Sequence, residues 1–213
     1  MNSEQLMKAS FRFSRDVKDF LGSMERVLRL LSQPVALRKL DSASVLLLGP
    51  YAIPGKPGSG HCLSICMRHE MEQALALTPS GRSSLDFHIR CPFTVAAGQA
   101  DEVAWLLDSL NLYLPLGCFQ FRCNQLQGEQ LQGRPLYQYE LPLQQNELPV
   151  SLFLETVAIV IDCYSQSAPL LEAVAKGELL ASDVGAWLCT QGIRPGPLEQ
   201  IFMSRSVPRR RSA

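Results

Sequence analysis

The side chains with the most reactive chemistry in this chain are its histidines and cysteines. His61, Cys62 and Cys66 share one apolar run, His69 follows it, and His88 and Cys91 share a second run. Brought together across neighbouring strands, such residues could ligate zinc, which takes four nitrogen or sulfur ligands in a tetrahedron. They could also form a Cys–His nucleophile, the imidazole taking the thiol proton. Strand-borne cysteines four residues apart (62 and 66) or five apart (118 and 123) lack the tight loop that closes a zinc site. Nothing places an orienting acid or an oxyanion donor beside them. Half-buried small hydrophobes explain them more simply, so no metal, no cofactor and no catalytic residue is expected. The seven cysteines carry no paired CxxC spacing, a usage that fits reduced thiols in the cytoplasm.

Two further stretches invite a chemical reading. Gly49-Pro-Tyr-Ala-Ile-Pro-Gly55-Lys56-Pro57 follows a strand-like run and faintly resembles a phosphate-binding loop. Five residues separate its glycines where four are required, and Pro57 stands where a hydroxyl should hold magnesium. No helix follows to offer its N-terminus, so a flexible hairpin loop is expected. At the other end, Arg205, Arg209, Arg210 and Arg211, with Arg194 upstream, could contact nucleic acid or an acidic partner. Charged termini are usually just solvated, and nucleic acid is not the expected partner.

The totals agree with that restraint. Twenty basic residues balance twenty acidic ones in 213, so no global field points to a polyanion or a membrane surface. The N-terminus carries acid early and lacks an apolar leader core, which predicts no export and a cytoplasmic location.

The element that must organise the rest is the helix starting near Pro149. Over Val150–Ser165, the residues Ser151, Glu155, Ala158 and Asp162 fall on one strip about 60° wide at about 100° per residue. Apolar side chains cover something like 220° of the remainder, where a helix on one core needs about 100°. The helix should therefore touch protein on two sides. It reads as too short and too interrupted by charge to span a bilayer, which wants about 20 apolar residues. Its outer face, through Leu154, Val157, Ile161 and Tyr164, together with Trp105 and Tyr113, is the candidate partner surface. The competing reading has residues 177–203 folding back over it.

Taken in order, periodicity predicts a helix over 15–32 capped by Ser14, then strands at 45–48, 61–67 and 87–95. Pro92 puts the last of these at a sheet edge or a bulge. A second helix runs from Gln99 to about Leu112, a hairpin pairs 118–126 with 135–143, and the long helix continues to about Val174. The fold class expected is α+β: an antiparallel sheet of about five strands, order α-β-β-β-α-β-β-α, with helices on one face. The domain spans 1–176, a helical appendage 177–203, and a basic tail 204–213.

This order coincides with a local phrase. Leu110-Asn111-Leu-Tyr-Leu114-Pro115-Leu-Gly117, the strand Cys118-Phe119-Gln-Phe121, its partner Tyr137-Gln-Tyr-Glu-Leu141, and the helix end Pro169-Leu170-Leu171-Glu-Ala-Val174 together resemble the bacterial YbjN-type family. That family is similar in fold to the type III secretion chaperones. The resemblance covers residues 15 to 175 and implies a small module without enzymatic activity that binds protein segments or assembles as a homodimer. The chain departs from the secretion chaperones in its neutral charge and its basic end, so a general adaptor or assembly-factor role is the expectation.

Overall fold

In the computed structural model, residues 5, 7–12, 16–40, 43–53, 56–68, 83–112, 114–124, 132–143 and 147–184 are described. The alternating stretches become strands, and the three- and four-residue periodicities become helices. In chain order they are β1 (Ser10–Arg12), α1 (Val17–Leu30), β2 (Val35–Leu40), β3 (Ala43–Ile53), β4 (Lys56–Met67) and β5 (Ser84–Arg90). There follow α2 (Ala100–Asn111), β6 (Cys118–Asn124), β7 (Gln132–Pro142), β8 (Glu147–Pro149) and α3 (Val150–Ala175). Six strands form one sheet in the order β2-β3-β4-β5-β7-β6, every neighbouring pair antiparallel. β1 and β8 pair separately.

The class is α+β, with one strand more in the main sheet than the sequence led us to expect, plus the two-stranded ribbon. The extra strand is β2, whose short run Val-Ala-Leu-Arg-Lys-Leu follows Pro34 and lacks a clean polar alternation. The strand around Phe87 also corrects an expectation. β5 lies inside the sheet, between β4 and β7. It ends at Arg90, so Pro92 falls beyond the ladder and its missing N–H costs no ladder bond. The cap of α1 is Asp16, whose carboxylate accepts the Lys18 N–H at 2.9 Å; Ser14 lies outside the described residues.

One face of the sheet holds the core. Leu63, Ile65 and Met67 of β4, Leu85, Phe87 and Ile89 of β5, and Tyr137 and Leu141 of β7 join Phe20, Met24, Leu106, Leu110, Phe153 and Val160 from the three helices in a single buried cluster. Val45, Cys66 and Leu136, at the alternate strand positions, are buried but lie outside that cluster. These three described helices therefore sit on the same side.

α3 runs 26 residues, Val150–Ala175, between the flanking Pro149 and Lys176. The exposed strip is the expected one, through Glu155, Ala158 and Asp162. Most of the apolar surface of α3 meets the chain's own elements, the sheet, α2 and β1, while Leu152 stays 42% exposed. Phe153 stands 5.4 Å from Phe11 and 6.5 Å from Phe87, ring centre to ring centre, within the range of favourable aromatic pairs. At 26 residues α3 is long and apolar enough to cross a bilayer by length and composition, which corrects the argument from shortness; 50% of its most apolar window is buried in the fold.

Residues 177–184 continue the same core. Ala181 and Val184 are 1% and 0% exposed, and the Ala181 N–H donates to Glu102 Oε2 at the start of α2, at 3.0 Å. The boundary expected after Lys176 cuts through this packing. Trp187, Leu188, Ile201 and Phe202, the residues proposed to fold back over α3, lie outside the described residues.

Candidate functional site

The strand alternation separates the reactive groups into two sets. His61 shares the helix side of β4 with Leu63 and Ile65, while Cys62 is exposed and Cys66 points to the other face. They cannot converge on one ion, and no cluster of three or more His, Cys, Asp or Glu suited to a metal occurs among the described residues. His69 lies outside them. The stretch that faintly resembles a phosphate loop forms parts of β3 and β4 on either side of residues 54 and 55, and a strand rather than a helix follows it.

On the helix side the polar groups are sealed in. His61 Nδ1 lies 2.6 Å from the Tyr164 hydroxyl, which in turn is 3.7 Å from Cys91 Sγ. Burial pushes the Cys91 thiol up to about 12 and holds the Tyr164 and Tyr137 phenols well above their ordinary values. The Cys163 thiol is raised by the same cause. A thiol is nucleophilic only as the thiolate. Cys91 stays protonated at neutral pH, so the arrangement is a hydrogen-bonded piece of core.

The opposite face, where no described helix packs, carries acidic and basic groups instead. Register sets Asp86 of β5 directly opposite Glu140 of β7, with His88 opposite Gln138 and Gln138 opposite Cys118 of β6. Arg68, just past β4, binds both carboxylates: its Nε is 3.1 Å from Asp86 Oδ2 and its Nη1 2.8 Å from Glu140 Oε2. Asp86 is only 3% exposed, and its Oδ1 has no hydrogen-bond partner. Burial raises its carboxyl above the ordinary Asp range, against the opposing pull of Arg68. These residues line a pocket of about 200 Å³ with Gly117 at its edge. One ladder step beyond His88 the face turns basic: Arg90 sits opposite Leu136, and Arg134, two residues along β7, is in register with Arg122 of β6.

The residues singled out from the sequence fall differently. Val157 and Tyr164 are 6% and 2% exposed and belong to the core, because they lie on the α3 arc that faces the sheet; neither can form a partner surface in this conformation. Leu154 and Ile161 are half-buried against that core. Trp105, at 36% exposure, does reach solvent. Tyr113, Arg194, Arg205, Arg209, Arg210 and Arg211 lie outside the described residues. Sequence reasoning missed Arg68, Asp86, Glu140, Arg90 and Arg134. For all but Arg68, which lies just past β4, the signal was present as mostly polar or charged residues at every second position of strands whose other positions are apolar.

No protein-family model matches this chain, and no curated protein matches it in sequence.

Proposed function

We propose that the chain is a non-catalytic protein-interaction module, chaperone-like or adaptor in type, that takes a partner segment on the helix-free face of its six-stranded sheet. The observation that carries this reading is the division of polar groups between the two faces. Cys91, Cys163, Tyr137 and Tyr164 are buried and held protonated on the helix side, while Cys62, Cys66 and Cys118 lie on the other face. The acidic and basic side chains, Arg68, Asp86, Glu140, Arg90 and Arg134, occupy the other face, where no described helix lies. The resemblance to the YbjN-type family points the same way, toward a binding module without enzymatic activity. The candidate surface moves from α3 to the sheet, since α3 spends its apolar breadth on its own chain.

A photo-crosslinking amino acid at Gln120, on the helix-free side of β6, and another at Glu155, on the exposed strip of α3, would test the assignment in cytosol. Discrete protein adducts at position 120 and none at 155 are expected. Adducts confined to 155, or none at either position, would sink the reading.

A further inference from the structure

We propose that the basic end of the helix-free face, built on Arg90 and Arg134, docks an acidic segment of the partner protein. This rests on the interaction-module reading and adds the partner's chemistry. Both arginines are exposed, and neither has an ion pair among the described residues. Because Arg90 is in register with Leu136, Arg134 is its diagonal neighbour, about 7–8 Å away between backbones. A chain with as many acidic as basic residues could have set an acid at either of these positions.

No carboxylate among the described residues of this face neutralises them. Asp86 lies four residues from Arg90 along β5, about 13 Å at the rise of an extended strand. That exceeds the screening length of about 8 Å at physiological salt, and both Asp86 and Glu140 are already held by Arg68. Both guanidinium groups are exposed, with no described partner. Arginine pairs with carboxylates through two parallel hydrogen bonds, and the half-buried amides of Gln120 and Gln138 stand on the same face.

The alternatives fit less well. Single-stranded nucleic acid wants aromatic rings to stack on, yet Phe87, Phe119, Tyr137 and Tyr139 all occupy the helix-side positions of these strands. A second copy of the chain meeting this patch about a two-fold axis would set arginine against arginine. An acidic peptide is the occupant that complements it.

The test uses the full chain and fluorescein-labelled deca-glutamate, followed by fluorescence anisotropy at about 50 mM salt, where ion pairs are weakly screened. Binding is expected, weakened about tenfold or more by Arg90→Glu with Arg134→Glu, and unchanged by Arg26→Glu on exposed α1 surface. Replacing Arg205, Arg209, Arg210 and Arg211 with Ala should leave most of it. Arg90→Gln with Arg134→Gln serves if the charge reversal unfolds the chain. Equal binding by the paired variants, loss on changing the tail instead, or tighter binding of labelled oligothymidine would each overturn the proposal. Crosslinks at position 120 that persist in the paired variants would show that the module reading survives while the acidic-partner chemistry fails.

Discussion

Gly117 stands at φ 71° where β6 begins, and a Cβ there would lie 2.6 Å from the Gln138 carbonyl oxygen and 2.8 Å from the Tyr137 hydroxyl. Both the left-handed backbone and the close approach exclude a side chain. Gly117→Ala should cost about 3 kcal/mol, combining strain with a forced shift of β7, read as a lower urea midpoint. Asp86 makes a prediction about pH. Its folded carboxyl is raised above the unfolded value, here 3.8, chiefly by burial. A raised acid contributes stability below the unfolded value and loses it as pH climbs through the folded one. The wild-type urea midpoint, relative to that of Asp86→Asn, should therefore fall from about pH 4 upward and then level. A relative midpoint that rises over that range would mean that Arg68 outweighs burial. Gly117 was visible in the sequence as part of the Pro115-Leu-Gly117 phrase. Asp86 was not: its burial is set by β4 and β7, which the sequence holds 20 and 54 residues away in Cys66 and Glu140.

At the scale of elements, the strongest periodicities were the most legible. α3, α2 and the hairpin of β6 and β7 stand within a few residues of where their apolar spacing puts them, because each buries a broad apolar face that no turn chemistry can counterfeit. β2 escaped notice because an edge strand with one neighbour needs little apolar alternation. β6 is the other edge, and it is guarded in a way the sequence did not disclose. Asn111, the last residue of α2, accepts the Phe119 N–H through Oδ1 at 2.6 Å and donates from Nδ2 to the Phe119 carbonyl at 2.9 Å. One amide thus takes the place of a paired strand on an edge that would otherwise offer itself to another chain. Asn111→Ala should cost about 1–3 kcal/mol, the worth of two buried hydrogen bonds and the groups they leave bare. Faster amide exchange at Phe119, measured by NMR, would locate the loss, and unchanged exchange there would refute the guarding role.

For the whole molecule, the question is what the apolar breadth of α3 is for. The sequence could count the apolar degrees of that helix but could not say whether a foreign chain or its own would cover them, since β1 and α2 are remote in sequence. Phe11 on one flank and Ala181 and Val184 near α2 join the same core as Phe153 and Val160, so the cover is internal. Two consequences follow for solution behaviour. Leu154→Asp, at a half-buried position against the core, should lower the melting temperature rather than split a dimer, because burying an unpaired charge costs several kcal/mol. Stopping the chain after Lys176 removes Ala181, Val184 and the bond to Glu102, whereas stopping it after Val184 keeps them. The first truncation should lose at least about 3 kcal/mol, given what two buried aliphatic side chains and a charge-assisted hydrogen bond contribute, and should aggregate on a sizing column. The second should melt well above the first. Equal stability of the two truncations would mean that residues 177–184 merely rest on α2, and that α3 needs a partner after all.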